Sequence, residues 1–166
     1  MTNVGDRISQ KAGHTRLFAA VMKRIAPRFD RANYGRFGGR VLGAGPPILL
    51  LSTVGNRSGK EHTTPLLYIR SGEDVVVAAS NWGESAHPAW SQNLLADPCA
   101  RVQIGEEISN RRARLATPEE REELWPRLLE LWPAYATYQE RSGRRIRVFI
   151  LEQSEHPDTD AGQTPG

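Results

Sequence analysis

The sequence predicts an α+β, mainly β, domain: a small β-barrel with helices packed across it. Three observations carry that expectation. Six short apolar or β-branched runs are separated by turns of hairpin length, which favours antiparallel pairing. Helical signals are confined to a few stretches with clear start and stop residues. The 166 residues, 39% of them hydrophobic, suffice for one core and are too few for two ordinary domains.

Pro46 and Pro47 make a hard stop before the first run, residues 48–54. Further strands are expected at 63–69, 75–80, 100–104, 109–115 and 146–151, with turn chemistry such as SGED at 71–74 and IGEE at 104–107 between them. One helix is expected over 88–96, stopped by Asp97 and Pro98. A second begins at Thr117, a good N-cap, with Pro118 at the first helical position and Glu120 completing a capping box. A third piece starts around Trp132 and Pro133 and runs to Arg141.

Charge divides the chain unevenly. Residues 1–60 hold 11 Lys/Arg against 2 Asp/Glu, while 61–166 hold 11 against 17. In the basic end, Leu17, Phe18, Val21, Met22 and Ile25 recur at helical spacing among Arg16, Lys23, Arg24 and Arg28, which describes a basic amphipathic helix within residues 15–29. Its apolar stripe either packs on the domain, the favoured reading, or lies peripherally on an anionic membrane surface. Nucleic acid is disfavoured, because no RNP-like strand, helix-turn-helix or zinc-finger spacing accompanies the charge. A Gly-rich connector follows at 35–45, and the segment beyond Gln153 has no apolar period and is expected to be disordered. The expected division is therefore 1–45, a barrel domain at 46–152, and a tail at 153–166.

The single cysteine, Cys99, excludes an intramolecular disulfide and lacks the Cys or His company that a metal site needs, so no metal is expected. No run is long and apolar enough to cross a bilayer, and no signal-peptide pattern is present. The expected setting is cytoplasmic, with peripheral contact at the inner face of the membrane as the variant that the basic helix allows.

Candidate chemistry begins in the turn TVGNRSGK, residues 53–60. Glycines can leave backbone N–H groups pointing into a concavity, and Arg57 and Lys60, with Ser58, Gly59 and His62 alongside, add charge suited to a phosphate or carboxylate. The spacing is not that of a Walker A loop, and an ordinary solvated hairpin is the alternative. Trp90 and Leu94 lie one helical turn apart, a pattern that favours core packing over ligand contact. His87 has no sequence-local partner for a hydrolytic triad and reads as structural or as a weak contact to an anionic ligand tail. Tyr135 and Tyr138, with Trp132 one turn earlier, share a helix face, which by spacing alone also reads as core.

Taken together, the turn, the TPL strand at 64–66, the segment ASNWGESAHPAW at 79–90 and the block YATYQ at 135–139 resemble, in this order, the deazaflavin-dependent nitroreductase family of actinobacteria and its F420H2-dependent quinone reductase-like members. The resemblance spans roughly residues 46–152. It implies a split β-barrel of the FMN-binding, pyridoxamine oxidase-like type and coenzyme F420, an 8-hydroxy-5-deazaflavin, as cofactor. The polyanionic tail of that cofactor would dock on Arg57, Ser58, Gly59, Lys60 and His62. The ring would lie against Thr64, Pro65, Leu66 and Leu67 on one strand and Ala79, Ser80, Asn81, Trp82 and Gly83 on the next, with Trp90 and Asn93 nearby. Tyr135 and Tyr138 would then face a planar quinone or nitro-aromatic acceptor, and these tyrosines with Ser80 are the candidate donors to charge developing on it. The implied reaction is hydride transfer from reduced deazaflavin. An FMN-dependent enzyme on the same barrel and a non-catalytic cofactor- or membrane-binding protein are the alternatives. The chain departs from the family pattern at Asn81 and Trp82, where a basic residue and Gly are common, at His62 for Arg, and at Arg147 for Pro.

Overall fold

The computed structural model describes residues 46–154. The basic segment at 15–29, the connector at 35–45 and most of the tail lie outside the described residues. Six strands, β1 (Ile48–Val54), β2 (Glu61–Ser71), β3 (Asp74–Ala78), β4 (Cys99–Ile104), β5 (Glu107–Leu115) and β6 (Val148–Gln153), close a barrel in the order β1-β2-β3-β6-β5-β4. Every pairing is antiparallel. Three helices accompany them: α1 (Ala89–Ala96), α2 (Pro118–Leu131) and α3 (Ala134–Ser142).

Strand alternation divides the core in two. Val75 and Val77 of β3, with Phe149 and Leu151 of β6, turn into the barrel beside Leu49, Leu51 and Val102, and Trp90 and Leu94 of α1 join them. The intervening residues, Val76, Ala78, Val148 and Ile150, turn outward under Leu124 and Leu128 of α2 and Tyr135 and Tyr138 of α3. Both faces of β3 are thus buried, which is why its sequence is a continuous apolar run rather than an alternating one.

The capping box on α2 forms as the sequence predicts: Glu120 N donates to Thr117 Oγ1 at 3.3 Å, and Thr117 N donates to Glu120 Oε2 at 2.8 Å. Glu120 also accepts from Arg114 at 2.6 and 2.7 Å, and that guanidinium holds the carboxyl down at about 2. The helix start is thereby tied to β5. Replacing Thr117 with Ala is expected to lower stability by about 1 kcal/mol in urea unfolding.

Strand β2 runs from Glu61, two residues before the expected start, and β3 stops at Ala78 rather than at Ser80. The mismatch matters for the site. Only Tyr68–Ser71 of β2 pair with β3, so among the described residues the first half of β2 pairs with β1 alone. Pro65, which has no N–H to give a ladder, is tolerated there for that reason.

A candidate cofactor cleft at the free edge of strand β2

Where β3 gives out, the chain makes a turn that the sequence does not announce. Asn81 (φ 46°), Trp82 (φ 56°) and Gly83 (φ 77°) are consecutively left-handed and form a single 3₁₀ turn. Asn tolerates this region; for Trp it costs about 1–3 kcal/mol and persists only where the surroundings fix it. Gly83 N donates to Ser80 O and Asn81 Nδ2 to Ala86 O, both at 3.0 Å. The larger restraint is Arg144, just beyond α3. Its Nε donates to Glu84 O (3.2 Å), Nη1 to Ala79 O (3.1 Å) and His87 Nδ1 (3.0 Å), and Nη2 to Ser80 O (3.0 Å) and Ala86 O (3.3 Å). All five guanidinium N–H groups are used. Since arginine only donates, His87 Nδ1 must accept, and the imidazole carries its proton on Nε2. Burial, Arg147 and Arg144 together hold the His87 pKa below its ordinary value and keep the ring neutral.

This turn forms one wall of a cleft of about 150 Å³, open to solvent on one side. Thr64, Pro65, Leu66 and Leu67 on the free edge of β2 form a second wall, and Trp132, Tyr135 and Tyr138 form a third. Ser80, Asn81, Trp82 and Trp90 complete the predicted residues that line it, joined by Ala78 and Pro88. The aromatic wall is continuous: Tyr138 meets Trp82 edge-on at 6.4 Å, Tyr135 meets Tyr138 at 6.4 Å, and Tyr135 stacks on Trp125 at 6.3 Å. Both tyrosines are buried to within a few per cent, at 4% and 8% exposure, yet among the described residues neither hydroxyl has a hydrogen-bond partner. Burial, with Tyr138 beside it, raises the Tyr135 phenol well above its ordinary pKa, so it is a donor at any working pH.

Other predicted residues prove to be framework. Ala79 is fully buried; its N–H donates to Arg147 O and its carbonyl accepts from Arg144. Gly83 is small because a Cβ there would meet Tyr138 Cα at 3.0 Å and Arg141 Nη2 at 2.8 Å, so the turn packs directly on α3. Trp90 packs on Phe149 with ring centroids 5.6 Å apart while its edge reaches the cleft. The Asn93 amide is spent within the protein: Nδ2 donates to Thr53 Oγ1 and Oδ1 accepts from Asn56 N, both at 3.1 Å, fastening α1 to the β1–β2 turn.

That turn corrects one expectation. The glycine N–H groups are not free for an anion, because Gly55 N donates to Lys60 O and Gly59 N to Gly55 O, each at 2.8 Å. Ser58 Oγ takes up Lys60 N at 3.3 Å and lies 3.4 Å from His62 Nε2. What remains available is side-chain charge. Arg57 and Lys60 are exposed and, among the described residues, have no carboxylate partner. Arg57, Ser58, Gly59, Lys60 and His62 stand outside the cleft lining, and Lys60 lies four residues, about 13 Å along an extended strand, from Thr64. A ring in the cleft with a polyanionic tail along the β2 edge fits this separation and this donor set.

The family model described as F420H(2)-dependent quinone reductase matches residues 22–153. The chain belongs to that family. It is 33% identical to the F420H(2)-dependent quinone reductase Rv1261c of Mycobacterium tuberculosis over 136 residues, covering 77% of this chain and 87% of the relative. A solved structure described as an F420-H2 dependent reductase, FDR-A, is 39% identical and superposes with a TM-score of 0.59, covering 64% of this chain and 94% of that one. At 14% identity, HutZ, a heme storage protein from Vibrio cholerae, shares the barrel with a TM-score of 0.51 over 66% of this chain and 82% of that one, which speaks for the fold alone. This F420H(2)-dependent quinone reductase family member is thus an oxidoreductase with coenzyme F420 as its cofactor, on a closed barrel of six antiparallel strands. Among the described residues no helix is long and apolar enough to cross a membrane.

Sequence reasoning missed Arg144, Arg141 and Gln139 as parts of the site's support. Gln139 Oε1 accepts from Arg121 Nη2 at 2.8 Å and from Ile146 N at 3.1 Å, which fixes the end of α3 on β6 directly beside Tyr138. The run RSGRRIR holds four arginines, and nothing in their order tells which one folds back under the turn.

Proposed function

We propose that the cleft seats the deazaflavin ring of F420H2 between the free edge of β2 and the Ser80–Trp82 turn, with a quinone lying against Tyr135 and Tyr138. The observation that most directly supports this reading is the pair of phenol hydroxyls on the cleft wall, unpartnered among the described residues, opposite the stretch of β2 that among those residues pairs with β1 alone. When bound, the reduced cofactor supplies the hydride. The chain's own residues do the rest. Leu66, Leu67, Trp82 and Trp132 exclude water and hold planar groups in parallel. Tyr135 and Tyr138 donate hydrogen bonds to the oxygen on which negative charge develops, and Ser80 is positioned as a further donor. With its pKa raised, Tyr135 stabilises that charge without giving up its proton, and water completes the protonation.

Arg57 and Lys60 take the phosphodiester and carboxylates of the tail. Titration of the protein with F420, followed by fluorescence, tests this directly, with FMN as the competing cofactor. Because both cations are exposed, their double replacement by Ala is expected to weaken F420 binding by roughly tenfold, and wild-type affinity should fall as salt rises. Equal affinity in the double variant would remove the turn from the tail site.

A further inference from the structure

A second cavity, of about 270 Å³, shares no residue with the cleft. It lies at the start of β6, lined by Arg121, Arg145 and Arg147 together with apolar walls that include Leu115, Pro118 and Ile146. Among the described residues no acidic side chain lines it. Of the carboxylates that flank Arg121 in sequence, Glu119 and Glu120 are drawn back onto the cap of α2, Glu120 being held by Arg114 and Thr117 N, while Glu122 and Glu123 are exposed.

Arg121 is the unusual member. It is only 8% exposed, its guanidinium lies 4.2 Å from the centre of the Trp125 ring, and Nη2 donates to Gln139. Nη1 is enclosed and, among the described residues, has no hydrogen-bond partner. A buried cation with an unmet donor and no counter-charge is costly, and here the cost is compounded by the like charge of Arg145. Arg145 is exposed and makes no hydrogen bond or ion pair among the described residues, while Arg147 gives one donor to Ser91 Oγ at 3.1 Å.

We infer that this cavity is a binding site for a small oxyanion, a carboxylate or phosphate group carried on a compact apolar body. Arginine guanidinium groups supply planar, fork-shaped donors matched to such a group, with Arg145 exposed at the rim and Arg121 and Arg147 adding positive charge, and the Leu115, Pro118 and Ile146 side chains receive the remainder of the ligand. An anion there offsets the like-charge repulsion between Arg121 and Arg145.

Isothermal titration of the full-length protein with benzoate and with inorganic phosphate, at constant ionic strength in chloride, tests the inference. Saturable binding of either probe is expected, with benzoate the tighter if the apolar walls take part and phosphate the tighter if the ligand is a phosphoryl group. Arg121 packs on Trp125, so its replacement risks the fold. Arg145→Ala, at an exposed position, avoids that difficulty, and Arg147→Gln removes the third charge while keeping an amide donor for Ser91 Oγ. Each is expected to weaken the probe at least about tenfold. The Arg57→Ala/Lys60→Ala double variant should bind the probe as the wild type does. Absence of saturable binding by both probes overturns the inference. So does binding that is lost with Arg57 and Lys60 but kept in Arg145→Ala and Arg147→Gln, since the anion would then sit on the β1–β2 turn.

Discussion

Replacing Arg144 with Ala is expected to lower stability by about 3–5 kcal/mol in urea unfolding and to abolish measurable F420 binding. Five donors disappear at once, and the carbonyls of Ala79, Ser80, Glu84 and Ala86 lose their common partner. Those bonds are what fix Asn81 and Trp82 in the left-handed region. Once released, the turn relaxes and Trp82 leaves the cleft wall. Arg144→Lys keeps the charge but has a single nitrogen for acceptors spread from Ala79 to His87, so it should recover little of either loss. A lysine variant that binds F420 normally would show that charge rather than the fork holds the turn.

The barrel was legible because its causes are local. The expected bounds of β1 match the observed ones, and the capping box on α2 could be read from Thr117, Pro118 and Glu120 alone. Short turns between apolar runs leave little choice but antiparallel neighbours. The cleft was legible at a coarser level. Thr64, Pro65, Leu66 and Leu67 follow one another on one strand, and Ser80, Asn81 and Trp82 on one turn, so motifs that are continuous in sequence fall on continuous walls.

What stayed hidden depends on contacts distant in sequence. Asn93 was expected near the ring through the resemblance alone, and nothing local announces its partners, Thr53 and Asn56, some forty residues away. Two consecutive left-handed residues ending in Trp run against local preference and exist only because Arg144 reaches back from beyond α3. The glycines of the β1–β2 turn carried the right conformational signal, since Gly59 has φ 65°, but their N–H groups close the turn instead of facing a ligand. Backbone freedom can be inferred from composition, whereas hydrogen-bond allegiance cannot.

Changing both Tyr135 and Tyr138 to Phe is expected to cut kcat with menadione by about 100-fold, the loss of about 2.7 kcal/mol that removal of a donor to developing negative charge costs in an organised site. Cofactor affinity and thermal stability should change little. The rings keep their contacts with Trp82 and Trp125, and the hydroxyls have no protein partner to lose. The single variants separate the two phenols, and the one nearer the reacting oxygen should account for most of the fall. The pH profile adds a second criterion. Because burial raises the Tyr135 phenol above its ordinary value of about 10, its ionisation should leave kcat unaffected from neutrality up to roughly pH 10. A double Phe variant that turns over menadione at the wild-type rate would show that the phenols serve only as an apolar wall. Ala variants cannot decide the matter, because emptying two buried aromatic positions opens the core between α2 and α3 and would depress activity whatever the hydroxyls do.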